Sequence, residues 1–363
     1  MAIYRPGIPE GSRSRKTMEP TEISGANGAC YCRKGASKMN RKMKSILWGG
    51  CIAAAGAAAI SRGISCAFDR RMINAALDRR EPKALLKKKN VQGENTRDGE
   101  IMAYCRRMQK RLEAAPHEVI HIRGQDGTTL VGHLFRTAGA KRVVLAMHGW
   151  RSSWARDFGA VADFLHGSGC TVLYAEQRGQ GRSSGEYMGF GMVERFDCLE
   201  WVKWLNAAGF DASPIYLAGI SMGASTVLMA AGSRELPENV VGIIADCGFT
   251  SARAEWQHVS EKNLKVGYRR RDKHVDALCR RKIEVKPDGY STLDAMKVCR
   301  TPVLFIHGAD DSFVPVEMTL ENYAACKAPK NLLIVAGANH GMSYFYDREG
   351  YEKAVGQFFR EHG

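Results

Sequence analysis

The pattern of apolar and polar positions changes near residue 114. Two segments beyond it alternate with period two, EVIHIRG (118–124) and TTLVGHLF (128–135), which predicts antiparallel edge strands. Continuous apolar runs, typical of buried parallel strands, then alternate with helical segments. The runs are RVVLAM (142–147), TVLYAE (171–176), PIYLAGI (214–220), VGIIAD (241–246), PVLFIHG (302–308) and NLLIVAG (331–337). This order predicts an α/β domain over residues 114–363, with a mostly parallel eight-stranded sheet and helices on both faces.

The first 113 residues predict three different segments. Residues 1–44 lack periodicity and predict disorder, although a translation start at Met39 or Met43 stays open as an alternative. The apolar run ILWGGCIAAAGAAAI (46–60) follows several Lys and Arg residues and predicts a signal anchor over 45–68. The run is shorter than the ~20 residues of a spanning helix, so a cleaved signal peptide and a buried Ala-rich helix remain alternatives. Residues 69–113 predict a basic helical linker.

The net charge of +15 lies entirely in the N-terminal third. Residues 1–112 carry 24 Lys or Arg and 9 Asp or Glu, whereas residues 113–363 carry 29 of each. A neutral C-terminal domain argues against nucleic-acid binding, and a basic N-terminus is typical of the cytoplasmic flank of a membrane segment. The sequence therefore predicts a membrane-anchored protein, with a cytoplasmic location as the alternative.

The eleven cysteines show no spacing typical of a disulfide framework or a metal site. No C-x-x-C pair is present, so neither a zinc site nor a redox dithiol is expected. Many free thiols favour a reducing compartment or a disulfide-poor bacterial surface.

The strongest chemical motif is G-x-S-x-G at Gly219–Gly223, between the run PIYLAGI and a helical segment. A strand-to-helix turn with flanking glycines exposes a serine at a helix N-terminus, where free N–H groups stabilise an oxyanion. Ser221 is therefore the predicted nucleophile. The expected oxyanion donors are the backbone N–H groups of Met222 and of Trp150, which lies in the loop after RVVLAM.

A serine nucleophile requires a base and an orienting acid later in the chain. His340 follows the last predicted strand, and the adjacent carboxylates Asp310 and Asp311 follow PVLFIHG, which gives the order Ser, Asp, His. His307 is expected to pack beneath its loop. His148 is expected to hydrogen-bond the Trp150 loop into shape.

These motifs, together with Glu176–Ser183 (EQRGQGRS) and HGADDSFVP, occur in the order seen in α/β hydrolases, and the resemblance covers roughly residues 115–363. The chain resembles the bacterial serine aminopeptidase-like or prolyl-oligopeptidase-like branch with an N-terminal membrane segment. The resemblance implies that Asp311, four residues after His307, is the acid. Glu176 departs from the aspartate of many relatives, at a structural turn.

The chain between the strands that end at Asp246 and begin at Thr301 predicts a short cap at about 248–298. Its basic clusters, Arg269–Arg271 and Arg280–Lys282, either attract an anionic substrate or form a solvated face. The predicted function is hydrolysis of a carboxylic ester through an acyl-Ser221 intermediate, without a cofactor or metal. A small-molecule ester or short peptide is the expected substrate. Peptide or amide hydrolysis and thioester hydrolysis use the same triad and stay open, as does a non-catalytic, membrane-associated binding protein.

Overall fold

The computed structural model describes residues 65–80, 97–268 and 272–363. The predicted disordered segment 1–44, most of the predicted anchor (45–64) and the middle of the predicted linker (81–96) lie outside these residues, as does the basic cluster at 269–271. Within the described residues, no helix is both long enough and apolar enough to cross a bilayer. In the described part of the chain before the sheet there are two helices, α1 over residues 65–77 and α2 over Arg97–Ala114.

One sheet of eight strands organises the described residues 97–363. The strands are β1 (Glu118–Arg123), β2 (Thr129–Phe135), β3 (Arg142–Met147), β4 (Cys170–Glu176), β5 (Ile215–Ile220), β6 (Val240–Asp246), β7 (Val303–Gly308) and β8 (Lys330–Val335). Their order across the sheet is β1-β2-β4-β3-β5-β6-β7-β8. The β1–β2 and β2–β4 pairs are antiparallel, and all other pairs are parallel. The predicted mostly parallel, eight-stranded α/β-hydrolase fold is confirmed.

Helices between the strands and after the last strand cover both faces of the sheet. They are α3 (Trp154–Phe158), α4 (Ala162–Gly167), α5 (Glu194–Leu205), α6 (Met222–Ala231), α7 (Ala252–His258), α8 (Asp272–Ile283), α9 (Thr292–Val298), α10 (Val316–Ala325), α11 (Ser343–Tyr346) and α12 (Arg348–His362). A separate apolar core lies on each face, one around Trp201 of α5 and the other around Tyr174 of β4. The central strands are apolar throughout because both faces are covered.

Two strands differ from the expected pattern. β2 was expected at an edge but lies between β1 and β4, and six of its seven residues are buried. β8 was expected to be buried, yet only Val335 is fully so, since β8 has a single neighbour at the far edge of the sheet. The pattern of apolar residues along these two strands therefore predicted neither their burial nor their neighbours, because burial also depends on where a strand lies in the sheet.

The chain between β6 and β7 contains helices α7, α8 and α9, where the sequence predicts a cap. A third apolar cluster joins this region to α1 and to the start of α6 through Leu77, Met222 and Trp256. In the second basic cluster, Arg280 and Arg281 are exposed, and Lys282 forms an ion pair with Asp78 at 2.5 Å. The third apolar cluster lies at the carboxyl end of β5, where Ser221 follows.

Candidate active site

Ser221 occupies a strained turn between β5 and α6. Its backbone has φ 57° and ψ −118°, in a region that residues with a side chain rarely adopt. A β-carbon at Gly219 would overlap the carbonyl of Gly223, and one at Gly223 would overlap the carbonyl of Met147. Both motif positions therefore require glycine, because the turn packs against itself and against the end of β3.

The three predicted catalytic side chains meet at the carboxyl edge of the sheet. His340 Nε2 lies 2.9 Å from Ser221 Oγ, and His340 Nδ1 lies 2.7 Å from Asp311 Oδ2. With Nδ1–H donating to the carboxylate, Nε2 is free to accept the serine proton. The structure thus places the predicted nucleophile, base and acid in one hydrogen-bonded chain.

Asp311 is held as a carboxylate by four donors. Its Oδ1 accepts the N–H groups of Phe313 and Val314, both at 2.9 Å, and its Oδ2 lies 3.2 Å from His307 Nε2 in addition to His340. Burial raises the pKa of Asp311, but hydrogen bonds from His307 and His340 outweigh burial and hold the pKa well below its usual range. The acid is therefore ionised at neutral pH.

The rival carboxylate, Asp310, does not face the triad. Its side chain is exposed and has no hydrogen bond or ion pair with the described residues, while its backbone N–H donates to Ala338 at 3.0 Å. His307 is fully buried and bonds Thr319 at 2.7 Å and the Val314 carbonyl at 2.9 Å, which matches its expected packing role.

The two predicted oxyanion donors lie beside the nucleophile. A β-carbon on Gly149 would lie 3.3 Å from Ser221 Cβ, so the loop that carries Trp150 is in contact with the elbow. Met222 is the first residue of α6, where N–H groups have no intrahelical acceptor. Neither the Trp150 N–H nor the Met222 N–H donates to another described residue. Both are available for a substrate oxygen.

The oxyanion loop, residues 148–152, is held by a dense set of hydrogen bonds. Asp157 accepts the Gly149 N–H at 2.7 Å and the Ser152 hydroxyl. His148 is buried, donates from Nδ1 to the Gly149 carbonyl at 2.8 Å and accepts the Gln177 N–H at Nε2. Burial lowers the pKa of His148, so the neutral ring fits both bonds. The expected shaping role of His148 agrees with these contacts.

Sequence reasoning missed a second layer of polar groups beneath the triad. Asp246 ends β6 and Cys247 follows it, and the Asp246 carbonyl accepts the Ser221 N–H at 2.8 Å. The Asp246 carboxyl accepts a hydrogen bond from the Ser343 hydroxyl at 3.2 Å, and burial raises its pKa to about 6. The signal that could have found them is their position, because β6 ends at the same sheet edge as β5 and β7.

Among the described residues, one group of side chains could hold a metal ion. The ligand atoms of Cys247, Asp311 and His340 lie within 4.8 Å of one another. Burial raises the pKa of the Cys247 thiol well above its usual value, whereas a metal binds the thiolate. Asp311 and His340 already bond each other. The arrangement therefore fits a proton relay better than a metal centre.

Replacing Asp246 by Asn is expected to stabilise the protein in a pH-dependent way. Burial raises the pKa of Asp246 from its ordinary value of 3.8 to about 6 in the folded state. Between these two pH values the carboxyl ionises in the unfolded chain but not in the folded one, so the free energy of unfolding of the wild type falls as the pH rises and stays lower above pH 6. At pH 8 the wild type is expected to be about 3 kcal/mol less stable than the variant, since each unit of pKa is worth about 1.4 kcal/mol. Urea unfolding from pH 4 to pH 8 measures the difference between variant and wild type.

The exposed Asp211→Asn variant is the control for this experiment and should leave the free energy of unfolding unchanged at every pH. A stability difference for Asp246→Asn that does not vary with pH would contradict the expectation, because it would show that the carboxyl does not change its protonation on unfolding.

Comparisons with known proteins agree with the fold and the motifs. The sequence is 31% identical over 207 residues to the uncharacterized protein YqkD of Bacillus subtilis (strain 168), and the match covers 52% of this chain and 62% of that protein. The structure is similar to the Pyrococcus furiosus esterase Pf2001, with a TM-score of 0.56, 24% identity, and coverage of 70% of this chain and 93% of that one. It is also similar to the α/β hydrolase GrgF from Penicillium sp. sh18, with a TM-score of 0.53, 20% identity, and coverage of 68% and 99%.

At these identities the two structural likenesses show the fold. The assignment to a family comes from the sequence. The profile of the prolyl oligopeptidase family matches residues 156–362, which include Ser221, Asp311 and His340. The match covers more than half of the chain and confirms the prolyl-oligopeptidase-like part of the predicted resemblance, so the chain belongs to the prolyl oligopeptidase family.

Proposed function

We propose that this protein is a serine hydrolase that cleaves a carboxylic ester through an acyl-Ser221 intermediate. The observation that carries the proposal is the hydrogen-bonded chain from Ser221 Oγ through His340 to Asp311. Family membership supports the same chemistry. Two backbone N–H groups without a partner and a strained serine backbone both cost free energy of folding. A protein that kept the fold without the activity would gain nothing in return for this cost.

The geometry supplies each step of acyl transfer. His340 Nε2 takes the proton from Ser221 as its Oγ attacks the substrate carbonyl carbon, and the Trp150 and Met222 N–H groups receive the developing oxyanion. His340 then gives that proton to the leaving oxygen, and the C–O bond breaks. In the second half of the reaction, His340 takes a proton from a water molecule as that water attacks the carbonyl carbon of the acyl-serine. His340 then returns the proton to Ser221 Oγ, the bond between Oγ and the acyl group breaks, and the carboxylic acid is released.

The surroundings of the nucleophile favour an uncharged, apolar acyl group. Met222 belongs to the third apolar cluster, together with Phe190, Phe249 and Trp256. Trp256 meets Phe190 edge to face with ring centroids 5.0 Å apart. On the other side, Phe313 packs edge to face on the His340 ring at 5.0 Å. An apolar acyl chain would gain free energy from burial against these residues, whereas an ionised acyl chain would lose its hydration there.

A substrate panel tests the bond type. Short-chain and long-chain nitrophenyl esters, aminoacyl nitroanilides and acyl thioesters would be compared by kcat/KM with the purified full chain. We expect the esters to be turned over fastest. Faster cleavage of the anilides would instead establish a peptidase, which family membership makes the second candidate. No turnover of any substrate and no reaction with a fluorophosphonate would establish the non-catalytic alternative.

We also propose that the chain is held at a membrane by its N-terminal segment. The support is in the sequence alone, in the apolar run 46–60 and the basic residues before it. Native cells would be fractionated, and the membranes washed with alkaline carbonate. Retention of the protein in the washed membranes is expected, and recovery in the soluble fraction would favour the cytoplasmic alternative.

A further inference from the structure

The helix α1 packs beside the catalytic serine, although it lies far upstream in the chain and outside the family match. Ile73 and Leu77 are fully buried in the third apolar cluster, which also contains Met222, the residue after the nucleophile. Trp150 packs against the same cluster. The helix is therefore in contact with the surroundings of both predicted oxyanion donors.

The end of α1 bonds directly to the oxyanion loop. The Trp150 indole N–H donates to the Ala76 carbonyl at 2.8 Å. The Arg151 guanidinium donates to the carbonyls of Ala75 at 2.9 Å and Asp78 at 2.6 Å. The last carbonyls of a helix have no intrahelical donor, and a cation there also interacts favourably with the helix dipole. Side chains of the oxyanion loop thus cap α1, and α1 in turn fixes their position.

The backbone of the loop depends on this support. Arg151 has φ 50°, in the left-handed region that is unfavourable for a residue with a side chain. A strained conformation persists only where its surroundings hold it. Asp157 holds the Gly149 end of the loop, and the carbonyls of α1 hold the Arg151 end. The Trp150 N–H lies between these two attachments.

The segment after α1 is tied to two further parts of the domain. Arg79 donates to the carbonyls of Ser183 and Gly181, both at 2.6 Å, in the loop after β4. The Met188 N–H donates to the Leu77 carbonyl at 2.7 Å. Lys282 of the cap helix α8 pairs with Asp78 at 2.5 Å, as noted above. Residues 65–80 are thus fixed at the oxyanion loop, at the loop after β4 and at the cap.

We propose that residues 65–80 form a strap that positions the oxyanion loop for catalysis, with Arg79, Arg151 and the Trp150 indole as positioning residues. The inference rests on the proposed hydrolase function. An oxyanion hole stabilises the transition state only when its donors lie about 3 Å from the oxygen, so a shift of the Trp150 N–H weakens it. Through the carbonyls at the end of α1, the strap links the chain upstream of the hydrolase domain to the position of one oxyanion donor.

Two substitutions in the full chain test the strap. Arg79→Ala removes its anchor to the loop after β4, and Trp150→Phe removes the indole donor but keeps an aromatic ring. Each is expected to lower kcat on a nitrophenyl ester by about 10-fold, because each loosens one oxyanion donor without removing it. KM should stay within about twofold, since ground-state contacts are unchanged. The pH profile of kcat should keep its shape, because the triad is intact.

Arg71→Ala is the matched control, because Arg71 is an exposed arginine of α1 without a hydrogen bond or ion pair to a described residue. It should leave kcat and KM as in the wild type. A second measurement is inhibition by a phenylboronic acid, whose tetrahedral adduct mimics the oxyanion. We expect Arg79→Ala to weaken this inhibition by the same factor as kcat, whereas a loss of fold would lower the active fraction without changing the inhibition constant.

The outcomes separate the strap from the proposed function. If the wild type does not react with a fluorophosphonate, the hydrolase proposal fails and the strap fails with it. If the wild type reacts but Arg79→Ala and Trp150→Phe keep wild-type kcat and boronate affinity, the strap alone is refuted. A lower melting temperature in these variants with unchanged kcat is also a refutation, because it assigns the contacts to stability only.

Discussion

Replacing Ser221 by Ala is expected to abolish labelling by a fluorophosphonate and to lower kcat by about 10⁴- to 10⁶-fold, since removal of a triad nucleophile leaves only binding and the oxyanion donors. Ser221 lies 2.9 Å from the base, and its backbone is fixed by the glycines on either side. The fold should survive the change, because alanine removes one oxygen and no packing contact of note. Labelling is read by intact mass and kcat by ester turnover.

Ser312→Ala is the control for the nucleophile. Ser312 is exposed and adjacent to the catalytic acid, and its contacts with the described residues are with Asn339 and His258. We expect this variant to be labelled at the wild-type rate. Labelling of Ser221→Ala at the wild-type rate would show that another residue is the nucleophile and would end the acyl-Ser221 mechanism.

Replacing Asp311 by Asn is expected to lower kcat by about 10⁴-fold, the loss that follows when an amide takes the place of the orienting carboxylate. The amide can donate to His340 Nδ1, which leaves the proton on Nε2, so the ring can no longer accept from Ser221. The carboxylate also accepts two backbone N–H groups at 2.9 Å, so some loss of stability is expected as well. Kinetics on protein shown to be folded by circular dichroism would separate the two effects.

Asp310→Asn makes the same chemical change one residue earlier and is the matched comparison. Its side chain is exposed and away from His340, so kcat should stay within about twofold of the wild type. Equal losses in the two variants, or a larger loss for Asp310→Asn, would assign the acid to Asp310 and contradict the geometry described above.

Much of the candidate site could be predicted because its residues are close to local motifs. The turn at Ser221 leaves room only for glycine at positions 219 and 223, so the five residues 219–223 are enough to predict its geometry. The signal for the parallel strands is also local, since burial on both faces requires continuous apolar runs. The choice between Asp310 and Asp311 was different. It came from a resemblance, because adjacent aspartates in a loop have no periodicity to distinguish them.

Other features could not be predicted because they depend on residues distant in sequence. Asp246 belongs to the site through its contacts with Ser343 and with the Ser221 backbone, 97 and 25 positions away. β2 has alternating residues but lies inside the sheet, because its neighbours are chosen by topology. The contact of α1 with Trp150 joins residues 74 positions apart, and no sequence pattern marks it.

The sequence by itself determined the order of strands and helices, the serine elbow and the set of side chains able to perform acyl transfer, because each depends on local sterics or on burial periodicity. Only the tertiary structure decided which carboxylate faces His340, which buried groups lie beneath the triad, and that α1 bonds the oxyanion loop. These features are set by the packing of segments far apart in the chain, and such packing depends on three-dimensional shape rather than on local pattern.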